Sequence, residues 1–458
     1  MTAPAVRVDR SRLPEPDRGR RFVFPSIEKS QLSNGLRVWT VRHPTVPVVS
    51  GMLLIRSGSA ADPAGKEGLA AITVDMLDEG SGARSAIEMH EALARIGAQF
   101  DLDIGSDGAA LTVTMLSRFT ERGLAIVADM AARPRLAEED FARVRQLRLH
   151  RLSQTRDLPG AVADRTFVKL LYGEHPYGHT AIGSEPSLAR MDVDDVRRFH
   201  AGAMGPSVAT LIAVGDCEHG EILRIAADVF AGWNGASLGA TVPDTPLPRP
   251  ARLNVVPRPG APQSELRIGH VAAARNTPDY HALIAANMVL GGQFVSRINL
   301  NLREDKGLTY GARTAFDFRR MPGPFALQVS VQTSGTARAI RESLDEIAAI
   351  RGARPITEAE LVMGVAAVTR GYAHNFETAE QIGRAAMQLA LYDLPDDHFA
   401  EYVPRLEAVT AAGATEAVAR QLDAARLVTL VVGDLDTIGA DLQQLDLGEA
   451  VILSAEGF

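Results

Sequence analysis

Apolar positions along this chain follow two rhythms. Val38-Trp39-Thr40-Val41 and VPVVSGMLLIRSGS (46–59) are rich in β-branched and apolar residues and read as neighbouring strands. LSNGL (32–36) supplies an Asn-Gly turn of the kind that closes hairpins. SAIEMHEALARIGA (85–98) places Ile87, Met89, Leu93 and Ile96 near the helical period, and Gly97 is the stop signal. DGAALTVTML (107–116) returns to strand character. Strands and helices mixed in runs, rather than strictly alternating, predict α+β sandwiches with mixed, largely antiparallel sheets packed against helices.

The rhythms occur twice. SVATLIAVGDCEHGEIL (207–223) is answered by RLVTLVVGDLDTIGADL (426–442), each a buried strand, then Gly-Asp, then a helix start. Gly215 and Gly433 lie 218 residues apart. GLAAITVDMLDEG (68–80) is answered by HALIAANMVLGG (281–292), and RLHRLSQTRD (148–157) by AVTRGYAHNFE (367–377). A repeat this long is a duplicated domain rather than a solenoid unit. Between the halves, residues 236–262 hold seven prolines and are expected to be extended and poor in regular pairing. Two homologous domains follow, over 20–240 and 250–458.

Composition narrows the function classes. A formal charge of −8, with no basic face beyond the short tail DRGRRF (17–22), argues against nucleic acid. The single cysteine, Cys217, excludes an intrachain disulfide framework and a thiolate zinc cluster, and reads as a loop thiol. No run approaches the roughly 18 apolar residues of a membrane helix. The tail 1–22 lacks an apolar signal core, and its arginines alternate with Asp9, Glu15 and Asp17. A cytoplasmic location is expected, with the periplasm left open if a signal has been removed.

Three longer stretches carry a resemblance. LSNGLRVWTVRHPTVPVVSGMLLIRSGSAADPAGKEGLA, IGAQFDLDIGSDGAALTV and HPYGHTAIGSEPSLARMDVDDVRRFH together resemble the pitrilysin/insulinase-type zinc metallopeptidases. The likeness extends over nearly the whole chain, including the duplication. In active members the helix after Gly-Leu-Ala carries H-x-x-E-H: two imidazoles one turn apart bind the metal, and the glutamate activates its water. Here the matching positions are Ala71, Val74 and Asp75, and the third ligand, a glutamate, falls near Arg151. The resemblance therefore implies a degenerate zinc motif, with no metal and no catalytic residue on this chain.

Other donors are poor replacements. Asp75, Asp78 and Glu79 could face one way on a helix, but carboxylates alone suit Mg²⁺ or Ca²⁺ rather than a zinc hydroxide. His175 and His179 are four apart, yet Pro176 and Gly178 argue against a shared helix face. The remaining histidines are scattered and read as surface or satisfied groups.

LGGQFVSRINLNLREDKGLTYGARTAFDF (290–318) resembles the family's second-domain motif, in which an arginine and a tyrosine seven residues later face the zinc across a peptide chamber. Arg303 and Tyr310 keep that spacing. Gly307 is placed to end their helix, with Arg303 in its last turn and Tyr310 on the next strand, where alternation would put Tyr310 on a core-facing side. The resemblance implies that the pair contacts substrate. The sequence thus reads as the non-catalytic subunit of a heterodimeric zinc peptidase. Its expected partners are a zinc-bearing homologous subunit and extended peptides. The alternatives are a structural scaffold and a homodimeric peptide-binding protein.

Overall fold

In the computed structural model, which describes residues 11, 22–235, 242 and 247–454, the strand-like segments form two mixed six-stranded sheets. Nearly all of the arginine-bearing tail and most of the connector before residue 247 lie outside the described residues.

The first sheet runs in the order Glu28–Gln31, Arg37–Arg42, Ala209–Gly215, Val48–Ile55, Ala109–Leu116, Gln99–Ile104. Only Arg37–Arg42 and Ala209–Gly215 pair in parallel. The second sheet repeats the plan, from Val451–Ile452 through Leu253–Pro257, Val428–Gly433, Gln263–Val271 and Pro324–Gln332 to Ala312–Phe316. The central Ala209–Gly215 and Val428–Gly433 strands are buried on both faces, which is why they read as apolar runs broken only by Thr210 and Thr429.

Three local expectations change. Residues 37–42 and 48–55 are not neighbours: Ala209–Gly215 lies between them and hydrogen-bonds to both. The proline-rich connector is not unpaired throughout, because Leu253–Pro257 joins the second sheet beside Val428–Gly433. Its prolines fall on either side of that strand's interior: four precede Leu253, and Pro257, Pro259 and Pro262 stand at or beyond its end. On helix Ala86–Arg95, Met89 and Leu93 are buried and Ile96 is buried just past its end, but Ile87 is exposed.

Alternation sorts each sheet into two apolar faces. One face of the first sheet, with Leu53, Leu111, Val113 and Leu211, packs on helices of its own half. The other face, with Trp39, Met52, Leu54, Ile212 and Val214, is covered by Ala379–Tyr392, a helix from the second half. The exchange is reciprocal. Helix Pro159–Tyr172 leaves the first half and lays Ala163, Phe167 and Leu171 on Val256, Leu430 and Val432 of the second sheet. Close approach is needed at Gly383, where a Cβ would stand 2.8 Å from the Met52 Cε. Among the described residues, no helix is long and apolar enough to cross a membrane.

Candidate functional site

The helix at the position the resemblance gives to the zinc motif, Leu69–Asp75, starts from Gly68 in the left-handed region at φ +98. A Cβ there would meet the Gly183 Cα at 2.9 Å, so the position suits glycine alone. Asp62 closes the helix start, accepting the Gly68 and Ala70 N–H groups at 2.7 and 2.6 Å. The His179 Nε2–H lies 2.9 Å from the same carboxylate and 3.1 Å from the Ser59 carbonyl. His175 points elsewhere and accepts the Tyr177 N–H through Nδ1 at 3.0 Å. The two histidines of HPYGH thus serve separate structural bonds.

On the helix, Ala71 and Val74 are buried and offer no donor atom. Asp75 accepts from the Arg148 Nε at 2.8 Å. Arg148 stands on the long helix Glu138–Arg156, one turn before Arg151, with 7% of its side chain exposed. Burial lowers its guanidinium from the ordinary value, and Asp75 opposes that shift. Arg148 also donates to the Ala181 carbonyl at 3.4 Å. Arg151 itself faces solvent.

The carboxylate trio does not converge. The helix ends at Asp75, and each acid has its own partner: Asp75 takes Arg148, Asp78 faces His90 at 3.6 Å, and Glu79 pairs with Arg143. Burial, and then Glu79, push the Asp78 carboxyl up. Two side chains without donor atoms, a carboxylate held by arginine and an exposed guanidinium do not fit zinc. Among the described residues, no group of three His, Cys, Asp or Glu side chains is placed to hold a metal. Cys217 is a buried loop thiol, pushed up by burial to about 12.

Arg303 sits in the last turn of a helix that begins as Arg297–Asn299 and continues as a wide π-turn over Leu300–Asp305. Such single π segments often mark functional sites. Arg297 anchors the helix through a double bond to Glu360, Nε to Oε1 at 2.6 Å and Nη2 to Oε2 at 2.7 Å. The interaction holds the Glu360 carboxyl down at about 2. The Arg303 guanidinium stacks over Phe294, 4.0 Å from the ring centroid, and pairs with Glu304. Phe294 is 61% exposed.

Gly307, at φ +60, ends the helix as expected, but Tyr310 is neither on the strand nor core-facing. Thr309 causes the difference. Its hydroxyl lies 2.7 Å from the Ser330 carbonyl and accepts the Gly311 N–H at 3.1 Å, so pairing begins only at Ala312. Tyr310 is consequently 93% exposed. No hydrogen bond or ring contact joins Arg303 and Tyr310, which stand on the two arms of one turn. Phe294 and Arg148 went unnoticed in the sequence; the exposed aromatic in GGQFVS, beside two glycines, was the available signal for the first.

Comparison with known proteins places this architecture. Residues 37–184 match the family described as Insulinase (Peptidase family M16), and residues 190–368 match the Peptidase M16 inactive domain. The chain belongs to the M16 insulinase/pitrilysin family. A protein of Mycobacterium leprae named an uncharacterized zinc protease is 24% identical over 80% of this chain and 83% of its own length. One of Mycobacterium tuberculosis, named likewise, is 25% identical over 72% and 76%. The fold matches a solved peptidase M16 inactive domain from Pseudomonas fluorescens, with a TM-score of 0.82 and 24% identity, over 89% of this chain and 98% of that one.

Proposed function

We propose that this chain is the non-catalytic subunit of a heterodimeric zinc peptidase. One contrast carries the reading. The zinc-helix position at Asp75 is closed by an internal arginine, while Arg303 and Tyr310 keep the spacing of the substrate pair, with Tyr310 held out into solvent. A chain with no metal role has reason to close the first site; a chain with no substrate role has little reason to project the second.

The two side chains suit a peptide. Arg303 offers several fixed N–H donors and Tyr310 one O–H donor, which together can orient a backbone carbonyl and meet negative charge that develops on it. The zinc expected on the sister subunit would supply Lewis-acid activation of water and carbonyl. This chain would close the chamber and hold the peptide extended, a mode in which backbone pairing recognises the substrate with little demand on its sequence.

The test is cleavage of a quenched-fluorescent peptide by this chain, by a zinc-motif homologue from the same organism, and by their mixture. Activity confined to the mixture is expected. Arg303→Ala and Tyr310→Phe should each lower turnover by roughly tenfold or more without separating the subunits. If both variants turn over peptide at the full rate, the substrate-contact role is wrong. If mixing gives no gain, the scaffold or the homodimeric peptide-binding protein takes its place.

A further inference from the structure

Where helix Ala379–Tyr392 lies over the first sheet, its last turn meets arginines drawn from both halves. Arg37 opens the strand Arg37–Arg42, and Arg56 follows Ile55 at the end of the strand Val48–Ile55. Alternation places Arg37 on the face of Trp39, which is the face beneath that helix. The second half contributes Arg320, from the loop between Phe316 and Pro324, and Asp393, which caps the helix in the left-handed region at φ +51.

Hydrogen bonds fix three of these groups. Arg56 Nη1 donates to both Asp393 oxygens, at 3.1 and 3.3 Å. Arg320 donates from Nη1 to the Leu391 carbonyl at 3.2 Å, and its Nη2 stands 3.6 Å from Asp393. The Arg320 backbone N–H reaches the Asp107 carboxylate at 2.9 Å. Arg37 is different. Its Nη2 is buried without a hydrogen-bond partner among the described residues. So is the hydroxyl of Thr210, which stands opposite Arg37 on the neighbouring strand and shares its face.

Buried donors without acceptors are uncommon, and on a guanidinium they are costly, since the charge has lost water and gained nothing in return. The charged groups that act on Arg37 are Arg56 and Arg320, both repulsive, and Asp393. Burial, and then Arg56, lower its guanidinium from the ordinary value. Asp393 is already shared by Arg56 and Arg320. Three guanidiniums thus meet one carboxylate, and two positive charges stand uncompensated. An apolar side chain at position 37 would serve folding better, so the arginine is explained by what it can bind.

We propose that Arg37, Arg56, Arg320 and Thr210 form a site for a phosphate-type dianion, either free phosphate or the phosphoryl group of a small phosphomonoester. Its two charges match the surplus, and its tetrahedral oxygens can accept from the Arg37 Nη2 and the Thr210 hydroxyl together. Because the arginines come from both halves, the bound anion ties the halves to each other. Peptide cleavage does not call on these groups, so the inference stands apart from the peptidase reading.

Calorimetric titration of the full chain, in chloride buffer at constant ionic strength, tests the site with inorganic phosphate in one arm and phenyl phosphate in the other. Saturable one-to-one binding is expected, and the tighter arm identifies the source of the phosphoryl group. Arg37→Met should weaken binding roughly tenfold or more. Without phosphate it should raise Tm, because an unpartnered buried charge has gone. Asp393→Asn should tighten binding about fivefold, since it removes the competing carboxylate while asparagine still accepts the left-handed backbone. No saturable binding in either arm, or an affinity that either substitution leaves unchanged, would overturn the inference. So would a lower phosphate-free Tm in Arg37→Met, which would give the arginine a structural role instead.

Discussion

Arg148 donates from Nε to the Asp75 Oδ2 at 2.8 Å, tying the end of helix Leu69–Asp75 to the middle of helix Glu138–Arg156. The pair spans the two helices that carry the ligand positions of an active family member, so a strut stands where the resemblance would put a metal.

The strut is unequal, and that yields a prediction. Arg148 is 7% exposed and Asp75 33%, so removing the acid strands a buried cation, whereas removing the arginine leaves a partly hydrated anion. Asp75→Ala should cost about 2–3 kcal/mol and Arg148→Met about 1 kcal/mol in urea unfolding. The reverse order would show that the pair is not what holds Arg148. A chelator should leave the Tm of the isolated chain unchanged; a drop would reveal a bound metal.

The exchanged helices predict coupled halves. Gly383→Leu should drive a side chain into Met52 and cost about 3 kcal/mol, while Gly383→Ala should cost less because the Met52 terminus can turn aside. Both sheets should still unfold in one transition, followed by near-ultraviolet dichroism and by hydrogen exchange. Two separated transitions would show that the exchange does not bind the halves.

Acid sensitivity should appear first at a histidine pair. Burial, and then nearby arginines, hold His281 and His398 down at about 4, and His398 Nε2 accepts from the Arg275 Nη2 at 2.9 Å. An unfolded chain protonates these rings near 6.5, so it binds more protons than the folded chain between 6.5 and 4. Stability is therefore complete above 6.5 and lost as pH falls towards 4. His398→Gln should flatten that limb of the Tm profile; an unchanged slope would assign the loss to other groups.

Lower in pH, the Arg297–Glu360 pair takes over. With the Glu360 carboxyl held at about 2, chiefly by its bond to Arg297, its contribution is full above the ordinary 4.5 and disappears as pH falls from there towards 2. Glu360→Gln should remove this second limb and loosen the helix that carries Arg303. Faster amide exchange over residues 297–305 at neutral pH is the expected signature, and unaltered exchange there would separate the anchor from the arginine.

Much of the fold can be read from pattern. Burial of Ala209–Gly215 on both faces, the hairpin at Asn34-Gly35 and the helix ending before Gly97 follow from local period and turn chemistry. These act over a few residues and need no knowledge of the rest of the chain. The lack of donors at Ala71 and Val74 is equally local, since no fold gives a hydrocarbon side chain a lone pair. Arg303 near a helix end was legible because Gly307 marks that end.

What pattern does not report is which element lies across a face. Periodicity marks a buried side without naming its neighbour, so Ala209–Gly215 between two strands consecutive in the sequence, and Ala379–Tyr392 on the first sheet, came only with the closed chain. The Asp75 partner lies 73 residues away, brought in by the packing of two helices rather than by any spacing. Tyr310 turned outward because the Thr309 hydroxyl replaced a ladder bond, a side-chain choice that strand alternation cannot foresee. Local chemistry determined what each segment could become and which atoms could not bind zinc. Tertiary structure alone decided which segments meet, because contacts between distant residues depend on the path of the whole chain.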